Sequence, residues 1–210
     1  MKELKIDLDD PEEGILADIA SDLAEGKVVA FPTDTVYGLG TSINNELGIQ
    51  KIFRIKGRPR NKALIAMIDE NWRLEELVSS IPDVATRLME AFWPGALTII
   101  FPASDLVLPS ITRAASIGIR LPDSLITREL VRMAGSPLAT TSANRTGFKS
   151  ATAGYQVKTE IGEGIDVLLD GGRIDGAVES SIVDVTGDYP RILRVGVIKE
   201  EEIENILKRD

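Results

Sequence analysis

The chain has 210 residues, a hydrophobic fraction of 43% and a formal net charge of −9, from 24 basic and 33 acidic side chains. It contains no cysteine and no histidine, which excludes disulfides, thiolate nucleophiles, Cys/His zinc sites and histidine-dependent triads. An enzyme of this composition must work by positioning reactants and by fixed charge, as phosphoryl and nucleotidyl transfer allow.

No apolar run approaches the roughly 20 residues that a membrane span needs, so no membrane association is expected. The first residues, Met1 to Asp7, lack the apolar segment of a secretory signal, and a cytoplasmic location is therefore expected. The length suits one domain over residues 1–210.

Hydrophobic periodicity and turn residues predict strands and helices that alternate along the chain. The predicted strands cover residues 1–9, 28–31, 63–68, 96–101, 116–121, 137–141, 167–170, 181–185 and 191–195. The predicted helices cover residues 10–26, 45–55, 72–78, 82–92, 123–135, 152–161 and 199–208, with Asp123 and Thr152 as caps. Loops are expected at 32–41 and 56–62, and a hairpin turn at 186–188. This order predicts an α/β fold with a twisted, mixed parallel and antiparallel sheet flanked by helices.

The densest positive charge lies in residues 51–62, where every ionisable side chain is basic. In an acidic chain such a concentration is costly through self-repulsion, so an anionic ligand is a natural explanation. Alternation would place the last four cations on one side of an extended loop, suited to phosphate or carboxylate. A solvated charged loop explains the pattern equally well. The residues are Lys51, Arg54, Lys56, Arg58, Arg60 and Lys62.

Three other stretches combine polar side chains with strand ends. Residues 33–38 carry hydroxyls and end in a glycine, although a polar turn is the simpler explanation taken alone. Arg120 is the single charge of an apolar strand; if buried it must be paired, with an internal carboxylate or with a substrate's. Residues 142–144, Ser-Ala-Asn, follow a strand, where α/β sheets present ligand loops, yet a simple turn again suffices.

Seven short motifs extend over nearly the whole chain: PTDTVYGLG at 32–40, KIFRIKGRP at 51–59, FWPGALT at 92–98, IGIRLPD at 117–123, TSAN at 141–144, ESSIVD at 179–184 and ILRVG at 192–196. In this order they resemble the YrdC/Sua5 family, the threonylcarbamoyl-AMP synthases. One motif would be weak, whereas seven in register are specific. The KxR…SxN signature of that family corresponds to Lys56, Arg58, Ser142 and Asn144.

The resemblance implies an L-threonylcarbamoyladenylate synthase, a nucleotidyltransferase. L-threonine and bicarbonate or CO₂ would give a carbamate that attacks the α-phosphate of ATP, with pyrophosphate as the leaving group and Mg²⁺ carried on the phosphates. The product would pass to a tRNA-modifying threonylcarbamoyltransferase complex. Because the substrate's own carbamate is the nucleophile, the absence of cysteine and histidine is no obstacle.

The resemblance also implies site roles by position. Lys56 and Arg58 are expected to be catalytic, with Lys56 near the developing phosphate charge. L-threonine is expected to contact Thr35, Arg120, Thr140 (through its backbone) and Ser180, with Arg120 on the carboxylate. ATP is expected to contact Arg58, Lys62, Ser116, Ser142, Asn144, Ser150 and Arg194. No protein ligand for the metal is predicted.

Three departures from the family pattern stand out. Met67 occupies a position where some members have a histidine near threonine, and Ala151 and Val195 occupy positions where many have proline. The extra C-terminal domain of longer members is not expected.

The main alternative is a module that binds double-stranded RNA or tRNA through residues 51–62 without catalysis. The net charge of −9 argues against a general nucleic-acid coat but not against a local basic groove, and an RNA contact of the enzyme itself is also an expectation. A third interpretation, a carbamoyl-phosphate-linked maturation domain, is typical of much longer chains.

Overall fold

The computed structural model describes residues 1–174 and 176–208, and within them ten strands form one sheet. The strands are β1 (Lys2–Lys5), β2 (Val29–Phe31), β3 (Gly38–Ser42), β4 (Ile65–Met67), β5 (Leu97–Pro102), β6 (Ser116–Arg120), β7 (Leu138–Ser142), β8 (Val167–Asp170), β9 (Ser181–Asp184) and β10 (Arg191–Arg194). The helices are α1 (Glu13–Ala24), α2 (Glu46–Lys56), α3 (Leu74–Leu77) after a 3₁₀ turn at Asn71–Arg73, α4 (Asp83–Phe92), α5 (Leu125–Ala134), α6 (Gly154–Ile161) and α7 (Glu200–Leu207).

The sheet contains both hydrogen-bond patterns, which confirms the predicted mixed α/β fold. Its strand order is β1-β8-β2-β3-β7-β4-β6-β5-β9-β10. β8 is parallel to β1 and β2, β6 to β4, and β9 to β5. The remaining neighbours are antiparallel, including the predicted β9–β10 hairpin. No helix in the described part of the chain is long and apolar enough to cross a membrane.

Successive strand residues point to opposite faces, so the sheet is covered by two helix layers. One face carries Val29 and Phe31 and packs on α1 and α5; the other carries Ala30 and Phe101 and packs on the remaining helices. Among the described residues, the apolar contacts of the α1–α5 layer reach β4 only at Met67 and stop before β6, β5 and β9. The same face of those strands is therefore free of helices, and the candidate site lies there.

The prediction of a loop over residues 32–41 is wrong from Gly38 onward, because Gly38 and Gly40 belong to β3. Glycines at these positions are typical of a loop, yet the side-chain packing around β3 requires them. A Cβ on Gly38 would lie 3.1 Å from the Phe31 ring, and one on Gly40 would lie 2.9 Å from a Thr140 methyl group. Here the missing side chain serves the packing of a buried strand rather than a turn.

Helix starts differ from the prediction by one to three residues. Ser124, not Asp123, caps α5 by accepting a bond from the Thr127 N–H at 3.2 Å. Ala153, not Thr152, precedes α6 and makes no side-chain cap, while the Thr152 hydroxyl donates to the Gln156 side chain at 3.3 Å. Lys56 is the last residue of α2 rather than part of the following loop.

Asn45 caps α2, the helix that carries Lys56, by accepting a 2.9 Å bond from the Gly48 N–H. We expect Asn45→Ala to lower the free energy of unfolding by about 1 kcal/mol, since that N–H loses its partner. Urea denaturation measures the change. Its exposed neighbour Asn44 is the matched control, and an Asn44→Ala loss of equal size would contradict the capping role.

Candidate active site

A cavity of about 350 Å³ opens on the helix-free face of the sheet. Its floor consists of side chains and one glycine from four neighbouring strands: Ile65 and Met67 of β4, Gly118 and Arg120 of β6, Thr98 and Ile100 of β5, and Ile182 of β9. Their sequence neighbours, such as Ile99 and Ile119, point into the opposite core. Successive residues of each strand therefore alternate between the cavity on one face of the sheet and the core on the other.

The walls of the cavity are the chain segments that leave the sheet beside this face. They include most of the residues predicted as site residues: Thr35, Lys56, Arg58, Lys62, Ser142, Asn144, Ser180 and Arg194. Together with Arg120 on the floor, nine of the predicted side chains therefore line one enclosed space. The structure brings these residues together; their roles toward substrates stay predictions.

Arg120 is 2% exposed and is paired internally, as the sequence analysis required of a buried arginine. Its Nη2 donates to both carboxylate oxygens of Asp34 at 2.7 Å, its Nη1 to the Thr35 hydroxyl at 2.8 Å and its Nε to the Gly95 carbonyl at 2.9 Å. Burial lowers the pKa of Arg120, and the Asp34 carboxylate opposes that effect. One Nη1 hydrogen remains for a ligand, since a guanidinium has five.

Hydroxyl groups form two pairs in the cavity, and that of Thr35 also accepts from Arg120. The Thr35 hydroxyl lies 3.1 Å from that of Thr33, and the Ser180 hydroxyl lies 2.9 Å from that of Thr98. All four side chains line the cavity. A small ligand with a carboxylate and its own polar groups would find both donors and acceptors here.

Lys56 is 3% exposed and lies beneath the segment that follows β7. Its ammonium group donates to the Ser142 carbonyl, to the Asn144 carbonyl at 2.5 Å and to the Asn144 side-chain oxygen at 3.2 Å. These three acceptors match the three hydrogens of an ammonium group. Burial, with a smaller contribution from Arg58, lowers the pKa of Lys56 to about 7, while Glu160 and Glu179 oppose the shift. Lys56 thus joins the end of α2 to residues 142–144.

Arg58 and Lys62 form the cationic wall beside Lys56. Arg58 donates to the carbonyls of Lys62 at 3.0 Å and of Ala63 at 2.6 Å, which fixes the loop around the guanidinium. Burial lowers the pKa of Arg58. The predicted alternation of four cations on one side is wrong, because Lys56 is helical and the chain turns at Arg60. The Arg60 guanidinium instead lies 5.4 Å from the centre of the Phe53 ring.

Glu179 lines the same cavity. It is not among the predicted site residues, although it begins the ESSIVD motif at 179–184. Its carboxylate accepts from the Ser150 hydroxyl and from Arg194 Nη1, the latter at 2.7 Å. Arg194 also donates to the Ser180 carbonyl at 2.9 Å and to the Ser180 hydroxyl at 3.2 Å. The Glu-Ser-Ser order before β9 was the available signal.

Three predicted residues lie outside the lining of the main cavity. Ser150 does not line the cavity but donates to Glu179, which does. The Thr140 hydroxyl donates to the Ile65 carbonyl at 3.1 Å within the sheet. Ser116 lines a second cavity of about 470 Å³, which shares Ala63, Ile100 and Gly118 with the first. The two cavities are therefore neighbouring compartments of one cleft.

Charge is distributed unequally between the two ends of the cavity. Arg120 is paired with Asp34, and Arg194 with Glu179. Lys56, Arg58 and Lys62 form no ion pair with any acidic residue that the structure describes. The unbalanced positive charge therefore lies at one end, where a polyanion is favoured. The end that contains the Arg120–Asp34 pair is balanced and suits a zwitterion.

Comparison with known proteins identifies a family. The Sua5/YciO/YrdC family model, described as "Telomere recombination", matches residues 21–196. The threonylcarbamoyl-AMP synthase of Bacillus subtilis is 38% identical over 205 residues, which are 97% of this chain and 58% of that protein. A putative threonylcarbamoyl-AMP synthase of Mycobacterium tuberculosis is 33% identical over 97% of this chain and 95% of its own length.

The fold agrees closely with a solved structure of this family. The crystal structure of Pyrococcus abyssi Sua5 complexed with L-threonine superposes with a TM-score of 0.95 at 36% identity, over 99% of this chain and 61% of that one. The chain thus spans about three fifths of the length of several relatives that it matches.

We expect Lys56→Met to lower the free energy of unfolding by about 2 kcal/mol, because three buried oxygen acceptors lose a charged donor. Lys62→Met should change it by less than about 0.5 kcal/mol, since that side chain is exposed. Urea denaturation of both variants makes the comparison within one cavity wall. Equal effects, or stabilisation by Lys56→Met, would contradict the anchoring role of Lys56.

Proposed function

The chain belongs to the Sua5/YciO/YrdC family, and on that premise we propose that it synthesises threonylcarbamoyl-AMP from L-threonine, bicarbonate or CO₂, and ATP. The observation that carries the proposal is the unequal charge of one cavity, in which Arg120, paired with Asp34, lies with a cationic wall that forms no ion pair with any described acidic residue. An amino acid and a triphosphate have matching charges. Relatives named threonylcarbamoyl-AMP synthase and a relative solved with L-threonine support the choice of substrates.

L-threonine is assigned to the balanced end. Arg120 offers its remaining Nη1 hydrogen to the carboxylate, while Asp34 and Thr35 hold the guanidinium in place from the other side. Hydroxyls of Thr35, Thr98 and Ser180 are available for the amino-acid side chain and amine. Because the guanidinium is already fixed and desolvated, little ordering remains to be done on binding.

ATP is assigned to the wall formed by Arg58 and Lys62, with the Ser142 hydroxyl beside it. Lys56 orders residues 142–144 from beneath, so its contribution to phosphate binding is a shaped loop together with the positive field of its protonated form. The second compartment, with Ser116 at its rim, provides room for the remainder of the nucleotide.

The proposed reaction needs no covalent intermediate on the protein. The neutral threonine amine adds to CO₂ with loss of a proton, or to bicarbonate with loss of water, to give a carbamate, and a carbamate oxygen forms a bond to the α-phosphorus. The bond from that phosphorus to the bridging oxygen breaks, and pyrophosphate leaves with its electron pair. Arg58 and Lys62 stabilise the charge that develops on the phosphate oxygens, and holding both reactants in one cavity supplies the rest.

Mg²⁺ is expected with the nucleotide, where it neutralises phosphate charge. The described residues contain no group of three or more histidine, cysteine or acidic side chains arranged to hold a metal. This suits an ion that is bound mainly by substrate phosphates and by at most one or two carboxylates. A tRNA-modifying transferase complex is the proposed consumer of the product.

We expect pyrophosphate release only when ATP, L-threonine and bicarbonate are all present, measured with a coupled phosphatase assay. Arg58→Ala should lower the rate about 100-fold, because a preorganised cation beside the phosphates is lost, while circular dichroism confirms that the variant is folded. Release without L-threonine, or RNA binding with no release at all, would contradict the proposed synthase and favour the RNA-binding alternative.

Variants at the two ends of the cavity should separate the two substrates. Thr35→Val is expected to raise the KM for L-threonine about fivefold, and Lys62→Met the KM for ATP about tenfold, each with little effect on the other substrate. Steady-state kinetics with one substrate varied at a time gives both constants. If either variant raised both KM values equally, the assignment of the ends would be wrong.

A further inference from the structure

Glu179 is the single acidic residue among the described side chains that line the main cavity. The charged groups that share this lining are cationic: Lys56, Arg58, Lys62, Arg120 and Arg194. Its side chain is 39% exposed and that of its partner Arg194 is 38% exposed, so both face the open part of the cavity. A carboxylate at this point requires an explanation, because the proposed ligand is a polyanion.

The carboxylate of Glu179 holds two groups that the family resemblance assigns to ATP. Its two oxygens accept from the Ser150 hydroxyl and from Arg194 Nη1. Neither group is fully available to a phosphate while this arrangement persists. If both turn to the phosphates, Glu179 is left without its cation next to a triphosphate, which is unfavourable.

A divalent cation removes this conflict. Mg²⁺ binds oxygen ligands and is commonly held by one or two carboxylates together with substrate phosphates. Two other acids of this region, Asp34 and Glu160, lie outside the lining of the cavity. Both oxygens of Asp34 accept from Arg120, and Glu160 accepts from the Arg145 N–H and does not line the cavity.

We propose that Glu179 is the protein ligand of the Mg²⁺ that enters with the nucleotide, and that it exchanges Arg194 and Ser150 for the metal. The released guanidinium and hydroxyl then serve the phosphates. Glu179 thereby links two events, binding of the metal and completion of the nucleotide site. This inference depends on the proposed function only in taking ATP as the ligand.

The test is binding of ATP to the whole chain by isothermal titration calorimetry, without L-threonine or bicarbonate, once with Mg²⁺ and once with EDTA. Wild type should bind Mg²⁺·ATP more tightly than metal-free ATP. In Glu179→Gln, Mg²⁺·ATP should bind about tenfold more weakly than to wild type. Metal-free ATP should bind more tightly than to wild type, since a like charge is gone. Glu160→Gln, which removes a charge outside the cavity lining, is the matched control and should leave the preference for Mg²⁺·ATP over metal-free ATP unchanged.

The expected result is thus a change of opposite sign in the two conditions. Weaker binding in both would mean that Glu179 only positions Ser150 and Arg194, and tighter binding in both would mean that it only repels phosphate. Either outcome overturns the proposal, as does a wild type that binds ATP equally well without Mg²⁺. A chain that gives the crossed result but releases no pyrophosphate would keep this inference and lose the proposed synthase.

Discussion

The site depends on one constraint, which is that helices cover only part of one face of the sheet. Strand alternation gives every strand two faces, and the second helix layer consists of only α1 and α5, whose apolar contacts end at Met67. Polar residues such as Arg120 and Thr98 are therefore possible on β6 and β5, directly behind the apolar residues that fill the opposite core. The cavity and the core share the same strands, and the rigidity of the core fixes the positions of the site residues.

Charged groups inside this space differ in their hydrogen-bond partners. Lys56 donates to the carbonyls of Ser142 and Asn144, and Arg58 to carbonyls of its own loop. Arg120 donates to one carbonyl, one hydroxyl and the carboxylate of Asp34. Carbonyl partners satisfy donors without cancelling charge, whereas a carboxylate partner does both. The cationic wall therefore keeps its positive field, while the end containing Asp34 is balanced. One physical distinction thus separates the end proposed for phosphate from the end proposed for the amino acid.

Much of the fold and most of the site could be predicted from the sequence, for different reasons. Apolar periodicity identified the buried strands and helices, and motif order identified the residues that now surround the cavity. The wrong or missing predictions concern features that depend on the folded path of the chain and on residues distant in the sequence. By sequence Gly38 and Gly40 are typical of loop glycines, and only the folded structure shows that the ring of Phe31 packs against them. Arg60 belongs to an alternating series of cations in the sequence, but the chain turns at this residue and breaks the alternation. The hydrogen-bond partners of Lys56 lie more than 80 residues away in the sequence. Glu179 was missed because its importance comes from the absence of other acids around it.

A protein without cysteine or histidine can still carry out acyl and phosphoryl chemistry if its substrates supply the nucleophile and the leaving group. The protein then needs to hold two charged molecules at a fixed separation and to keep its own cations free of acidic partners. The cationic wall satisfies that second requirement, although the rest of the molecule is strongly acidic. The negative surplus elsewhere also disfavours other polyanions, such as nucleic acid, over most of the surface. Net charge and local charge thus act together, since the first limits what approaches and the second selects what binds.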